Sequence, residues 1–388
     1  MKKVLFCFFF FIFCWIASLA QDSCGLRITL LTCAPGSELY STFGHTAIRV
    51  QEPTYGIDEI YNYGTFEFDD DFYVKFIKGK LPYALTVQSF DEFLYQYQME
   101  SRSVIEQELS FNCTQKQTLY ASLKTNALPQ NREYRYDFLF DNCTTRARDI
   151  VDTGAGPRVT FPNILASPPL TFRDHIDVYL NRGHQDWSQL GIDLLLGAKM
   201  DRPASNSEAM FLPDNLMIAF DKATIDGKPL VAQKKVILDL PSLANESLLI
   251  TPIIAFGLVF VIVAALSFLQ KRWSRKVVAA LDFIIFFLLG LIGVLLLFMW
   301  FGTNHALCAN NYNLLWALPT NLGMAFFVHK QSGWVKKYFL AVLVLSLLLV
   351  GTWFFLPQRM NNAFLPLVAA IALRSWMISK PKHGEKRI

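Results

Sequence analysis

The sequence has no basic stripe interleaved with aromatics, no cysteine or histidine pairs at zinc-ligand spacing, no internal repeat and no low-complexity tract. The first absence sets nucleic acid aside as a partner. The second leaves no metal and no cofactor to expect. Charge is sparse, with charged residues at 18% and a formal net charge of +4. What abounds is apolar: 34 Phe in 388 residues and a mean hydropathy of +0.29, too apolar for a wholly soluble protein. A chain of this length allows about two domains, so the apolar excess must be localised in one of them.

Part of that excess is N-terminal. Lys2 and Lys3 precede an apolar run from Val4 to Ile16, then Ala17-Ser18-Leu19-Ala20 and the polar Gln21-Asp22. This is the pattern of a signal peptide over 1–20, with a mature chain starting near Gln21. No lipobox precedes Cys24, so lipidation of the chain itself is not expected. Removing the signal peptide leaves Cys24, Cys33, Cys113, Cys143 and Cys308, an odd number, so at least one thiol stays unpaired in an oxidising compartment.

The rest is C-terminal. Five apolar segments, at about 249–269, 277–301, 310–328, 338–356 and 363–379, match a hydrocarbon core of about 30 Å, the third and fifth being interrupted by Pro319, Asn321 and Arg374. Lys271, Arg272, Arg275 and Lys276 follow the first, Lys330, Lys336 and Lys337 the third, and Lys380, Lys382, Lys386 and Arg387 end the chain. The alternate loops contain only Arg359. Positive loops stay in the cytoplasm, so the sequence predicts a multi-pass inner-membrane protein with residues 21–248 in the periplasm, 249–388 in the membrane and a cytoplasmic C-terminus. Asp282 and Arg374 lie about one turn inside their spans and are expected to pair. His305, Asn311 and Asn313 put polar groups at the outer leaflet, either as an ordinary interfacial loop or as a substrate-binding site for a lipid headgroup.

The periplasmic part opens with a β-rich run, Leu26 to Leu31, and a second strand, Phe43 to Val50, on which alternation sets Ile48 and Val50 against His45, Ala47 and Arg49. A third strand runs from Glu59 to Thr65. Phe66 to Tyr83 reads as helix and loop, 89–100 and 114–127 as helices, 216–240 as a hairpin around Asp226-Gly227, and 241–248 as a linker. Residues 156–213, with a helix near 172–181, are expected to cover the core. Arg135 to Phe140 reads as a strand, turning at Asp141-Asn142 into a helix that starts at Cys143 and ends at Gly154. Asn142 or Asp141 can cap it. Cys143 then sits in the first turn, on the face of Ala147, Ile150 and Val151. Free helix-end amides and a neighbouring imidazole activate a thiol placed there; the alternative is a buried Cys143, or one bonded to Cys113.

A histidine in a Gly-His-small-apolar strand, followed by Asn-Cys at a helix start, resembles the circularly permuted NlpC/P60 papain-like enzymes, relatives of lecithin:retinol acyltransferase. The resemblance implies an α+β permuted papain-like domain with Cys143 as nucleophile, His45 as base and Asn62 as orienting residue; a one-residue register error would select Tyr61 or Tyr63 instead. LLTCAPGSELYSTFGHTAIRV, YNYGTF, NREYRYDFLFDNCTTR, MFLPDNL and NYNLLWALP extend a likeness over nearly the whole chain. In these the chain resembles the Lnb-like lipoprotein N-acyltransferase family of Bacteroidetes, which implies a five-helix transmembrane bundle. It also implies a membrane phospholipid as acyl donor and the lipidated N-terminal cysteine of an apolipoprotein as acceptor. The competing readings are a peptidoglycan endopeptidase or amidase using the same Cys-His dyad, and a non-catalytic membrane scaffold with a structural Cys143. The multi-span tail disfavours the hydrolase, since a wall enzyme needs only one anchor.

Overall fold

The computed structural model describes residues 24–66, 71–154, 156, 158–241, 248–269 and 271–380. The signal peptide, the acidic residues Glu67, Asp69 and Asp70, most of the 241–248 linker and the basic tail after Lys380 lie outside them. The chain divides into two compact units. Of the described residues, the first takes in 24–66, 82–165 and 205–241, and the second 71–81, 166–204 and 248–380.

The first unit is α+β. Its seven-stranded antiparallel sheet comprises β1 (Arg27–Cys33), β2 (His45–Glu52), β3 (Ile57–Thr65), β4 (Pro82–Ser89), β5 (Val104–Leu109), β6 (Glu133–Arg135) and β7 (Val231–Leu238), in the order β6-β4-β3-β2-β1-β5-β7. Successive side chains point to opposite faces. Leu30, Ile48 and Tyr61 therefore join the core of one face, while Leu31, Ala47 and Ile60 join that of the other. The first core is closed by α2 (Cys113–Asn126), α3 (Cys143–Gly154) and α4 (Pro213–Lys222), through Leu119 and Leu123, Ala147, Ile150 and Val151, and Leu216 and Phe220. The second is closed by α1 (Phe90–Met99), through Phe93 and Tyr97. Reciprocal Ser89/Glu92 and Asn112/Gln115 capping boxes start α1 and α2.

Several sequence expectations change here. The run 135–140 is not a strand: β6 stops at Arg135, and Asp137 accepts the Leu139 and Phe140 amides in a tight turn. Strands β4 and β5 were not anticipated. The 216–240 hairpin is confined to Thr224–Ile225 and Lys228–Pro229, because Pro213 begins a helix that runs to Lys222. Cys113 is bonded to Cys24, which excludes the pairing with Cys143.

The second unit holds three helices long and apolar enough to cross a membrane, Arg272–Phe301, Gly333–Thr352 and Asn362–Ser379, and a shorter apolar helix, Pro252–Phe268. The expected span at 310–328 is not a continuous helix. Its described structure is a single helical turn, Asn321–Met324, between two 3-10 turns, Tyr312–Leu315 and Ala325–Phe327. Its backbone lies directly on the Arg272–Phe301 helix: a Cβ on Gly290 would come within 2.1 Å of the Leu322 nitrogen, and one on Gly293 within 2.1 Å of the Ala317 oxygen. Irregular backbone is tolerated in an apolar setting when it is packed against protein in this way. Arg374 and Asp282 form the expected pair, at 2.6 and 2.8 Å, and Arg374 also reaches Ser267 at 2.7 Å.

Residues 166–204, expected to cover the periplasmic core, belong to this second unit. Their helices, Phe172–Arg182 and Asp186–Leu195, are organised around Arg173, 2% exposed and bonded to Asp193, Asp201 and the carbonyls of Leu196 and Gly197. A helix end leaves carbonyls without intrahelical partners. Here side-chain amides supply donors: Asn313 to Asp193 and Leu194, Asn311 to Leu194 and Leu195, and Gln358 to Leu196, at 2.8 to 3.1 Å.

Candidate active site

The local sequence of α3 explains how Cys143 is held. Asn142, not Asp141, is the cap: its Oδ1 accepts the amides of Thr144 and Thr145, both at 2.8 Å, and its Nδ2 donates to the carbonyls of Phe138 and Phe211. Asp141 instead takes a two-point ion pair from Arg146. Cys143 is thus fixed at the first turn of a helix whose apolar face is pinned to the sheet. Thr46 on β2 and Thr144 on α3 touch at 3.2 Å through their hydroxyls, which sets the helix start beside the start of β2.

Gly64 makes the approach possible. It lies where the β3–β4 register slips between Asn62 and Thr65, with φ +87, and a Cβ there would sit 3.4 Å from that of Cys143. A larger residue would be strained by its backbone angle and would crowd the thiol.

His45 is half-buried and lies beside Cys143, near enough for the imidazole and the thiol to shift each other's protonation. Its Nε2 lies 2.6 Å from Asn62 Oδ1. The carboxamide oxygen accepts, so Nε2 carries the proton and Nδ1 is the ring nitrogen left to a second partner. The register places Asn62 on the face of His45, while Tyr61 and Tyr63 point into the opposite core and bond Glu59 and Asn126 respectively. Burial lowers the basicity of His45, but the sulfur of Cys143 and the Asn62 bond outweigh it and the imidazole pKa is raised.

The thiol moves the other way. Burial pushes it up, yet the His45 imidazole, the Thr46 amide and the Thr144 hydroxyl, 3.8 Å from the sulfur, bring it down to about 7. The remaining described free cysteines behave oppositely: burial pushes Cys33 up to about 12 and Cys308 up to about 11. A lowered thiol beside a raised imidazole is the arrangement in which thiolate and imidazolium stabilise each other. The site therefore sets a thiol of lowered pKa beside an imidazole whose tautomer Asn62 fixes. Thr46, Thr144 and Gly64 were not singled out from sequence; only Gly64 left a sign there, as a glycine interrupting a strand.

The outer-loop candidates belong to the second unit. Asn311 and Asn313, 3% and 1% exposed, spend their amides on the backbone of 193–195, and Asn313 Oδ1 also accepts from Trp316 Nε1. Their expected headgroup role is corrected to a structural one, because the donors a ligand would use are already committed. His305 packs against Gly79 and places Nε2 3.1 Å from the Ile77 carbonyl.

Comparison with known proteins places both units. No curated protein and no solved structure matches the chain. The family model described as the Lnb N-terminal periplasmic domain matches residues 15–178, and that described as the Lnb transmembrane domain matches residues 244–383. With both domains present in that order, the chain belongs to the Lnb family, as a membrane protein with an N-terminal periplasmic domain and a C-terminal transmembrane domain.

Proposed function

We propose that the protein is a lipoprotein N-acyltransferase of papain-like type, which moves an acyl chain from a membrane phospholipid through a Cys143 thioester to the α-amine of a lipidated N-terminal cysteine. The observation that carries the reading is the Cys143–His45–Asn62 arrangement, with its lowered thiol, in a chain of the Lnb family.

In the first half-reaction the Cys143 thiolate attacks the ester carbonyl carbon, and the carbonyl electrons pass to oxygen. That oxyanion forms at the end of α3 whose amides lack intrahelical partners; Asn142 takes those of Thr144 and Thr145, which leaves the Cys143 amide as its donor in this reading. The C–O bond breaks, His45 gives its proton to the departing lysophospholipid oxygen, and the thioester remains. In the second half-reaction the lipoprotein amine attacks the thioester, His45 takes the amine proton, and Cys143 leaves as thiolate. Asn62 keeps Nδ1 aimed at the sulfur in both halves. Water must be kept from the thioester, since hydrolysis competes with transfer.

The test uses purified full-length protein in nanodiscs containing phospholipid with a labelled acyl chain. Mass spectrometry of a rapid acid quench is expected to find that label on Cys143, and its transfer on adding a diacylglyceryl-cysteine peptide with a free amine. Labelled Cys143 that passes its chain only to water would reject the transferase reading. Cleavage of murein stem peptides without lipid labelling would favour the hydrolase.

A further inference from the structure

Residues 71–81 lie in the chain connection between β3, which carries Asn62 and Gly64, and β4, yet they pack with the second unit. Their sequence from Phe72 to Lys80, FYVKFIKGK, mixes apolar residues with lysines, the composition of a helix that lies at a membrane surface. The helix Phe72–Ile77 is closed by the Lys78 amide on the Val74 carbonyl, at 3.1 Å, and by the Lys80 amide on that of Lys75, at 2.8 Å. Its end is fixed to the loop after the Arg272–Phe301 helix. The Asn304 amide donates to the Lys78 carbonyl at 3.0 Å, and His305 Nε2 to the Ile77 carbonyl at 3.1 Å. A helix end leaves such carbonyls without intrahelical partners. Gly79 permits the close fit, with φ +64 and a Cβ that would come within 3.2 Å of the His305 ring.

The helix that bears this loop sets its level in the membrane. Lys271, Arg272, Arg275 and Lys276 mark the start of that helix as cytoplasmic. A hydrocarbon core of about 30 Å takes about 20 residues, so counting from Lys276 puts the outer boundary near Leu297. Trp300 and Phe301, stacked at 4.9 Å, then fall where aromatic side chains meet headgroups, and Phe301 is 73% exposed there. The loop at 303–306, and the strap bonded to it, lie just beyond, in the headgroup layer.

Val74 and Ile77, three residues apart and so on one helix face, are 53% and 49% exposed, and Lys78 and Lys80 are exposed after them. This uncovered apolar face continues the lipid-facing end of the helix to which the strap is bonded, and ammonium groups complement headgroup phosphates while their stems stay in apolar surroundings. We propose that the 72–80 strap docks on the outer leaflet, with Val74 and Ile77 among the upper acyl chains and Lys78 and Lys80 on lipid phosphates. The inference rests on the membrane topology and stands apart from the thioester reading.

The test uses the full chain in nanodiscs, with Cys143→Ala, so that an added cysteine is the accessible thiol: Cys24 and Cys113 are bonded, and Cys33 and Cys308 are buried. A nitroxide spin label is attached at Val74→Cys, at Ile77→Cys or, as a lipid-facing reference within the Gly333–Thr352 helix, at Leu347→Cys, which is 58% exposed. Power saturation compares collisions with oxygen, which concentrates in the bilayer, and with a neutral nickel chelate, which stays in water. Oxygen is expected to dominate at 74 and 77, at a shallower depth than at 347. Nickel dominance at 74 and 77 would mean a face open to water, and low exchange with both relaxants a face covered by protein, such as a second copy; either overturns the proposal. Each position is read independently, so the test survives the loss of one variant. Replacing part of the phosphatidylcholine by phosphatidylglycerol should draw the label at 77 deeper, and Lys78→Gln with Lys80→Gln should abolish that shift. A depth at 77 that ignores both changes overturns the phosphate contact.

Discussion

Thiol reactivity at Cys143 gives the sharpest quantitative expectation. With its pKa at about 7, Cys143 is about half ionised at pH 7, whereas a free cysteine near 8.5 is ionised to about one part in thirty. The gain in thiolate is therefore about fifteenfold. Intrinsic nucleophilicity falls as the pKa falls, with a Brønsted slope of about 0.4–0.5, which takes back about fivefold. Net alkylation at pH 7 should exceed that of an exposed cysteine only about threefold, so the informative quantity is the inflection, not the rate. Iodoacetamide labelling of the full-length protein, read by peptide mass spectrometry across pH, should rise through an inflection near 7 at Cys143. Cys33 and Cys308, pushed up by burial to about 12 and about 11, should stay unlabelled over that range. His45→Ala removes the opposing influence and leaves burial, so the inflection should climb to above about 8.5. An inflection already at 8.5 in the unaltered protein, or one that His45→Ala does not move, would refute the reasoning.

Other consequences are checked with similar economy. Asn62→Ala leaves the thiol in place but frees the imidazole to turn, so acyl transfer should fall on the order of tenfold or more while the melting temperature stays within a few degrees; unchanged transfer would remove Asn62 from the machinery. Arg374→Leu alone strands the buried Asp282 carboxylate and should cost about 3–5 kcal/mol in a detergent unfolding titration, whereas Arg374→Leu with Asp282→Leu should recover most of that. The Cys24–Cys113 bond closes a loop with a sequence separation of 89. Replacing both cysteines by serine should lower stability by about 4–5 kcal/mol without shifting the Cys143 inflection.

Local pattern made much of the site legible. Gly44-His45 opening a strand and Asn142-Cys143 opening a helix are short-range signals, and the two-residue period selected Asn62 once the register of β3 was known. The same locality explains what was missed. The apolar content of 310–328 suits a membrane helix, but its conformation is set by amides that reach back to 193–195 and by the bare surface of Gly290 and Gly293, distant in sequence. Likewise Arg173 and Asp193 look like ordinary helix-surface residues until their partners converge on them. Two misses were local: Asp137 marked a turn inside the run 135–140, and Pro213-Asp214 marked a helix start ahead of Leu216.

The central claim is that the Cys143 thiol N-acylates lipoproteins, and the N-termini of those lipoproteins test it most directly. Mass spectrometry is to be made of lipoprotein N-terminal peptides from cells whose only copy is the unaltered protein or Cys143→Ala. Loss of the amide-linked chain in the variant, with the membrane protein still present at normal level, is the predicted result; lipoproteins that keep that chain when Cys143 is gone would contradict the account.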